Sequence, residues 1–320
     1  MSIGTEIRIG TRASALARTQ TGWVVDRLRE AGVASRIETI ETRGDQRRDV
    51  PIAALGGDGL FVRELEQALL DGRIDAAVHS LKDVPTAAVA GLVLAAIPRR
   101  ASPFDALVGR TAPRLEDLPA GARVGTSSVR RVMQLREIRP DVEAVPMRGN
   151  VDTRLRKLDA GEYDAVLLAA AGLERLGLAG RITQILEPPR FWPAVAQGML
   201  AVQVRESDDR TRSLVRRIDD PDAHAAATAE RRMLAELAGG CLAPIGGWAR
   251  REGAGGLRLG GCVLGFASEG GRVARLVVED VCGAAMSLAA ADALGAAVAA
   301  RLNAEGAADL LAGVRIRRGP

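Results

Sequence analysis

Apolar and polar positions follow two rhythms in the first hundred residues. Leu16, Val24, Val25 and Leu28 recur at helical spacing and predict a helix over 14–31. Short strands are predicted on either side, over 6–10 and 36–41, then a helix over 60–70 and a strand over 75–79. Strand and helix alternating in this way argue an α/β architecture. Pro98-Arg99-Arg100-Ala101-Ser102-Pro103 then interrupts the pattern as a hinge.

Beyond the hinge the pattern recurs. Arg8-Ile9-Gly10-Thr11-Arg12-Ala13-Ser14 is echoed by Arg123-Val124-Gly125-Thr126-Ser127-Ser128, and Glu41-Thr42-Arg43-Gly44-Asp45 by Pro146-Met147-Arg148-Gly149-Asn150. Gly72-Arg73-Ile74-Asp75 is echoed by Gly161-Glu162-Tyr163-Asp164. Landmarks repeated in one order imply two domains of one topology facing each other. The first copy carries a glycine-rich surplus over 46–59, which suits a lid. A strand over 199–205 and a helix over 208–218 are expected to return to the first domain. The remaining chain predicts a separate α+β domain: helices over 223–238 and 284–303 around a hairpin of 257–266 and 272–279. The expected domains are therefore 1–99 with 199–218, the inserted 103–195, and 221–320.

At 320 residues, 47% hydrophobic and 26% charged, the chain is globular and too long for one core. The first ten residues hold charges and no apolar leader core, and the alanine-rich 284–300 is broken by Asp292, so a cytoplasmic protein is expected. Three cysteines in no metal spacing and two histidines give no expectation of a metal site. The net charge of +4 comes almost wholly from arginine, Lys82 and Lys157 being the lysines. Such a balance fits nucleic acid or a small polyanion. With aromatics at 2% of the chain there is little to stack on bases, which favours the small polyanion.

The turns after Gly10 and Gly125 bring backbone N–H groups and hydroxyls to helix starts, with Ser14 and Ser127 at N-cap positions. Arg12 stands on one turn and Arg130-Arg131 on the other, and Arg43, Arg148 and Arg154 follow at strand ends, where ligands of open α/β sheets bind. Lys82 and Asp83, in His79-Ser80-Leu81-Lys82-Asp83-Val84-Pro85, would face the same cleft. Asp83 is either a counter-ion to the arginines or a working carboxylate. Cys241, in Gly239-Gly240-Cys241-Leu242-Ala243-Pro244, is a thiol whose glycine neighbours leave it approachable.

Together these stretches, with 59–66 and 161–178, resemble the porphobilinogen deaminase (hydroxymethylbilane synthase) family from about residue 8 to 247. The resemblance implies two type II periplasmic-binding-protein-like domains plus a smaller α+β C-terminal domain, and a monomer. It also implies a dipyrromethane cofactor held through a thioether to Cys241. The reaction would be head-to-tail joining of four porphobilinogen molecules, with loss of ammonia through a cationic azafulvene and release of a linear tetrapyrrole. The catalytic aspartate falls on Asp83. Cofactor contacts fall on Lys82, Asp83, Thr126, Ser128, Arg130, Arg131, Arg148 and Arg154, and substrate contacts on Arg12, Ser14, Phe61, Arg148, Arg154, Arg175 and Gln197.

Two positions depart from the family pattern: Asp58, where lysine is common, and Ala196, where glycine is usual. The competing classes are a non-catalytic two-lobed anion-binding protein, which gives Asp83 and Cys241 no task, and a nucleic-acid binder, which rests on charge alone.

Overall fold

The structure, a computed structural model, describes residues 6–41, 62–237, 243–253, 255–267, 272–283 and 287–316. The chain begins with β1 (Ile7–Arg12), α1 (Ala15–Glu30), β2 (Ser35–Ile40), α2 (Arg63–Leu70), β3 (Ala76–Ser80) and β4 (Leu92–Ala96). It continues through β5 (Asp105–Gly109), β6 (Arg123–Gly125), α3 (Val129–Ile138), β7 (Glu143–Val145), α4 (Val151–Asp159), β8 (Ala165–Ala169), α5 (Ala170–Arg175) and β9 (Gln184–Leu186). Next come β10 (Leu200–Arg205), α6 (Asp209–Val215) and α7 (Pro221–Glu236). The C-terminal part holds β11 (Ile245–Glu252), β12 (Gly256–Phe266), β13 (Val273–Cys282), α8 (Leu288–Ala304) and α9 (Ala307–Ile316).

The chain divides into two compact units, Met1–Ala101 with Gly198–His224 and Ser102–Gln197 with Ala225–Pro320. The first contains a five-stranded sheet of order β2-β1-β3-β10-β4, with β1 parallel to β2 and β3, and β10 antiparallel to β3 and β4. The second contains a sheet of order β7-β6-β8-β5-β9, with β6 parallel to β7 and β8, and β5 antiparallel to β8 and β9. The two orders are the same, as expected of two domains of one topology. In each, the antiparallel strand belongs to a segment that crosses between the halves of the chain.

Both sheets are covered on both faces, which explains why strands such as Ala165–Ala169 read as continuous apolar runs. Along β8, Ala165 and Leu167 pack into one core and Val166 and Leu168 into another. In the first unit, Ile9, Val24, Leu28 and Val202 form the core under α1, and Leu65, Leu69 and Ile74 the core on the other face.

The repeat extends to hydrogen bonds. Asp75 Oδ2 accepts from the Arg8 backbone N–H at 2.9 Å, and Asp164 Oδ2 from the Arg123 N–H at 2.9 Å. From the end of the antiparallel strand β10, Arg205 donates to Asp75 Oδ1 at 3.3 Å, and from just past the end of β5, Arg110 donates to Asp164 Oδ1 at 3.0 Å. Burial alone would raise the Asp75 carboxyl, but the hydrogen bonds and charge of Arg8 outweigh it and hold the group at about 2. Gly10 within β1 and Gly125 at the end of β6 are fixed for one reason: a Cβ at Gly10 would lie 2.3 Å from Ile74 Cδ1, and one at Gly125 would lie 2.7 Å from Met147 Cε.

The C-terminal sheet is an antiparallel meander of β11, β12 and β13. The sequence predicts only its hairpin. β11 escapes because it begins within the glycine-rich stretch, where Gly246 and Gly247 serve close packing: their Cβ atoms would lie 2.6 Å from Trp192 Cβ and 2.8 Å from Met233 Cε. The second C-terminal helix, α9, is also unforeseen; the chain turns at Gly306, with φ +97°, and starts again.

The crossing segments run side by side. Ala101 N–H donates to Gly198 O at 3.2 Å, and Gln197 Nε2 to Pro103 O at 2.8 Å. Next to Gln197, Ala196 is buried with φ +59°, a left-handed conformation that costs a residue with a Cβ about 1–2 kcal/mol. Ala196→Gly is expected to stabilise the chain by about 0.5–1 kcal/mol, after the larger chain entropy of glycine is set against the relieved strain. A higher urea midpoint at unchanged slope is the readout.

Candidate functional site

In the first unit, the strands β1 and β3 end together and deliver the candidate residues. Arg12 closes β1, and Ser14 caps α1, its side chain accepting from Ala17 N–H at 3.3 Å. Lys82 and Asp83 ride on a 3-10 turn, Leu81–Asp83, directly after β3. Arg12, Gln20, His79, Ser80 and Asp83 line one cavity of about 30 Å³, enough for a water or two. Gln20 Nε2 donates to Ser80 Oγ at 2.9 Å.

His79 is buried and its Nε2 lies 2.9 Å from Gln203 Oε1. Burial, with some repulsion from Arg12, pulls its pKa to about 4, so the imidazole is neutral near pH 7. Asp83 is half-buried, and among the described residues its carboxylate has no hydrogen bond or ion pair. In a chain so rich in arginine, a carboxylate left without a cation is available to a ligand.

In the second unit, β6 runs into Thr126 and the start of α3. Ser128, not Ser127, is the N-cap, and it makes no side-chain capping bond. Ser127 Oγ instead donates to Met147 O at 2.7 Å and accepts from Met147 N–H at 3.0 Å, fastening the turn to the segment after β7. Thr126 is buried, and its Oγ1 accepts from Ser128 N–H at 3.3 Å.

Arg130 and Arg131 are buried in the first turn of α3 and converge on Asp105, the fully buried first residue of β5. Arg130 Nη1 donates to Asp105 Oδ2 at 2.6 Å, and Arg131 Nε and Nη2 donate to Oδ1 at 2.9 and 2.6 Å. Gln197 Nε2 reaches the same Oδ1 at 3.1 Å. Asp105 is the residue that sequence reasoning missed. Its signal is present, since a carboxylate heading the buried run Ala106-Leu107-Val108 needs a cationic partner.

One carboxylate offsets one of these two guanidinium charges, and the N-terminal end of the helix dipole adds positive potential. Arg154, on α4, donates from Nε to Gly149 O at 2.8 Å. Its pKa is drawn down to about 10, by burial first and then by repulsion from Arg131 and Arg148. That repulsion groups Arg131, Arg148 and Arg154 in one electropositive cluster, and an incoming carboxylate would relieve it. Arg175, the last residue of α5, is drawn down to about 10 by burial, beside Glu174. Phe61, Cys241, Arg43, Asp58 and the glycine-rich 46–59 lie outside the described residues. Of the other cysteines, burial pushes the Cys262 thiol up to about 12, which keeps it protonated and unreactive.

Comparison with known proteins identifies the family. Residues 7–213 match the family model described as porphobilinogen deaminase, dipyromethane cofactor binding domain, and residues 224–304 match that of the porphobilinogen deaminase C-terminal domain. The porphobilinogen deaminase of Xanthomonas euvesicatoria pv. vesicatoria is 49% identical over 310 residues, covering 96% of this chain and 99% of that protein. That of Thermus thermophilus is 45% identical over 309 residues, covering 96% and 98%. That of Roseiflexus castenholzii is 53% identical over 249 residues, covering 77% and 82%. Among solved structures, a Burkholderia cenocepacia nutrient-binding protein bound to methionine overlaps 72% of this chain and 95% of its own at TM-score 0.42 and 14% identity. With both family models matched in order and relatives alike over nearly their whole length, the chain belongs to the porphobilinogen deaminase family.

Proposed function

We propose that this enzyme of tetrapyrrole biosynthesis joins four porphobilinogen molecules head to tail, releasing one ammonia at each step, and that water then releases the finished chain as hydroxymethylbilane. The reading rests on one observation above the rest: an electropositive arginine cluster in one unit and, in the other, a carboxylate with no partner among the described residues. Every porphobilinogen unit carries an acetate and a propionate, so a growing chain needs many guanidinium groups.

The same donor set fits a dipyrromethane cofactor, itself a polyanion. Lys82, Asp83, Thr126, Ser128, Arg130, Arg131, Arg148 and Arg154 would hold its carboxylates and pyrrole N–H groups. Cys241 would anchor it. When bound, this group supplies the free pyrrole α-carbon at which the first substrate is joined. Arg130 and Arg131 reach it pre-oriented by Asp105, which limits the side-chain entropy lost on binding.

Asp83 carries the chemistry in this reading. Its carboxylate accepts the substrate's pyrrole N–H, stabilises the positive charge that develops as the amine leaves, and takes part in the proton transfer. Arg12, Ser14, Phe61, Arg175 and Gln197 complete the contacts to substrate. Asp105 already engages Gln197, so the role of Gln197 is to orient that carboxylate as well as to meet substrate. The enzyme acts as a cytoplasmic monomer in this reading. Among the described residues no helix is long and apolar enough to cross a membrane.

The intact mass of the purified chain under denaturing conditions tests the proposal. An excess of two linked pyrrole units is expected, and Cys241→Ala should lack it. A bare polypeptide mass that persists after incubation with porphobilinogen would overturn the covalent primer.

A further inference from the structure

We propose that the concave face between α3 and the β12–β13 pair is a second binding site, one that takes an aromatic anion: a planar apolar body carrying carboxylate or sulfonate groups. The cavity there measures about 1140 Å³, a size that encloses a ligand of several rings. One wall is a single face of α3, where Val129, Val132, Met133 and Arg136 recur at helical spacing. Phe266 and Val273 form the facing wall from β12 and β13. Val129, Met133, Phe266 and Val273 also belong to the apolar cluster around Trp192 that joins α3 to the C-terminal sheet. The cavity is therefore an opening in a hydrophobic seam. Val129, Val132, Phe266 and Val273 remain half-exposed along it, apolar surface that the fold itself leaves wet.

The charges at the seam select the ligand. Arg136 and Arg272 line the cavity, both are exposed, and among the described residues neither guanidinium has an ion pair or a hydrogen bond. Other surface arginines of this unit are matched, as in Arg110–Asp164, Arg139–Asp141 and Arg258–Glu252. The acid on the cavity wall, Glu137, is neutralised by Arg275 at 2.5 Å. The mouth is thus left positive over an apolar floor. The Arg136 guanidinium lies 6.0 Å from the Phe266 ring centroid, and a flat ligand can extend that stack while its acid group meets the guanidinium forks.

At one end the cavity touches Thr126 and Ser127, but their hydroxyls are engaged by Ser128 N–H and by Met147. Recognition falls to the arginines at the other end. The inference is independent of the proposed reaction, because it uses neither Asp83 nor the Arg131–Arg148–Arg154 cluster.

Titration of the full-length protein with 8-anilinonaphthalene-1-sulfonate, followed by fluorescence, tests the site. One saturable equivalent is expected. Arg136→Glu/Arg272→Glu should weaken it about 100-fold, the loss of two charge-assisted contacts. Val132→Trp, which puts a bulky ring on the α3 wall beside Arg136 and keeps both arginines, should weaken it. Unchanged circular dichroism and melting temperature would show that the exposed double variant is folded. Absence of saturable binding up to about 1 mM dye would overturn the proposal. So would dye affinity unchanged in the folded double variant, which would place the dye elsewhere.

Discussion

Asp83→Asn is expected to lower turnover by about 10²–10⁴-fold, the usual range for removing a group that transfers a proton or meets a developing charge. The melting temperature should stay close to that of the parent chain, because Asp83 is half-buried and holds no partner among the described residues. Asparagine keeps the shape and one accepting oxygen, so pyrrole N–H groups can still dock. It removes the negative charge that the cation formed on loss of ammonia requires. A steady-state assay at saturating porphobilinogen, beside a melting curve, separates the two effects. Normal turnover in the variant would end the role given to Asp83.

Asp105→Asn should act in the opposite way, on the fold before the chemistry. Asp105 is fully buried between Arg130 and Arg131, and burial alone would raise its carboxyl; the two guanidinium charges and their hydrogen bonds hold it well below the usual carboxylate range. Removing one partner of a buried ion pair costs about 3–5 kcal/mol, because the remaining charge stays desolvated and unpaired. Here two guanidinium groups would lose their anion at once, at the positive end of α3. The expected result is a large fall in the urea midpoint, recovered in part by phosphate, which can stand in for the missing carboxylate. An unfolding free energy within about 0.5 kcal/mol of the parent's would show that α3 does not depend on this contact.

The sequence exposed the paired architecture because the repeated landmarks are tied to backbone needs. Gly10 and Gly125 are fixed by close packing, and Asp75 and Asp164 by a bond to the equivalent strands β1 and β6. Such constraints leave local marks. The candidate arginines were legible for a related reason, since they cluster at strand ends and helix starts. What they do was less legible. Arg130 and Arg131 were visible as cations, but their partner Asp105 lies 25 and 26 residues earlier, and only the folded sheet brings them together. Ser127 had the look of an N-cap, yet its hydroxyl is held by Met147, 20 residues later. β11 was hidden because glycines that signal a turn also allow close packing in a strand. The lid of 46–59, Phe61 and Cys241 lie outside the described residues and stand as expectations from the sequence.

The antiparallel strand of each sheet sets the order in which the chain can finish folding as it leaves the ribosome. All strands of the second sheet, β5 to β9, are contiguous in the chain. The first sheet lacks its fourth strand until β10 has been made, after the whole of the second. Until then β3 and β4 have no strand between them, and their unpaired edges are open to wrong partners. Synthesis from the N-terminus therefore completes the second sheet before the first, so the sheet whose strand β3 leads into Asp83 depends on closing the long loop from β3 to β10.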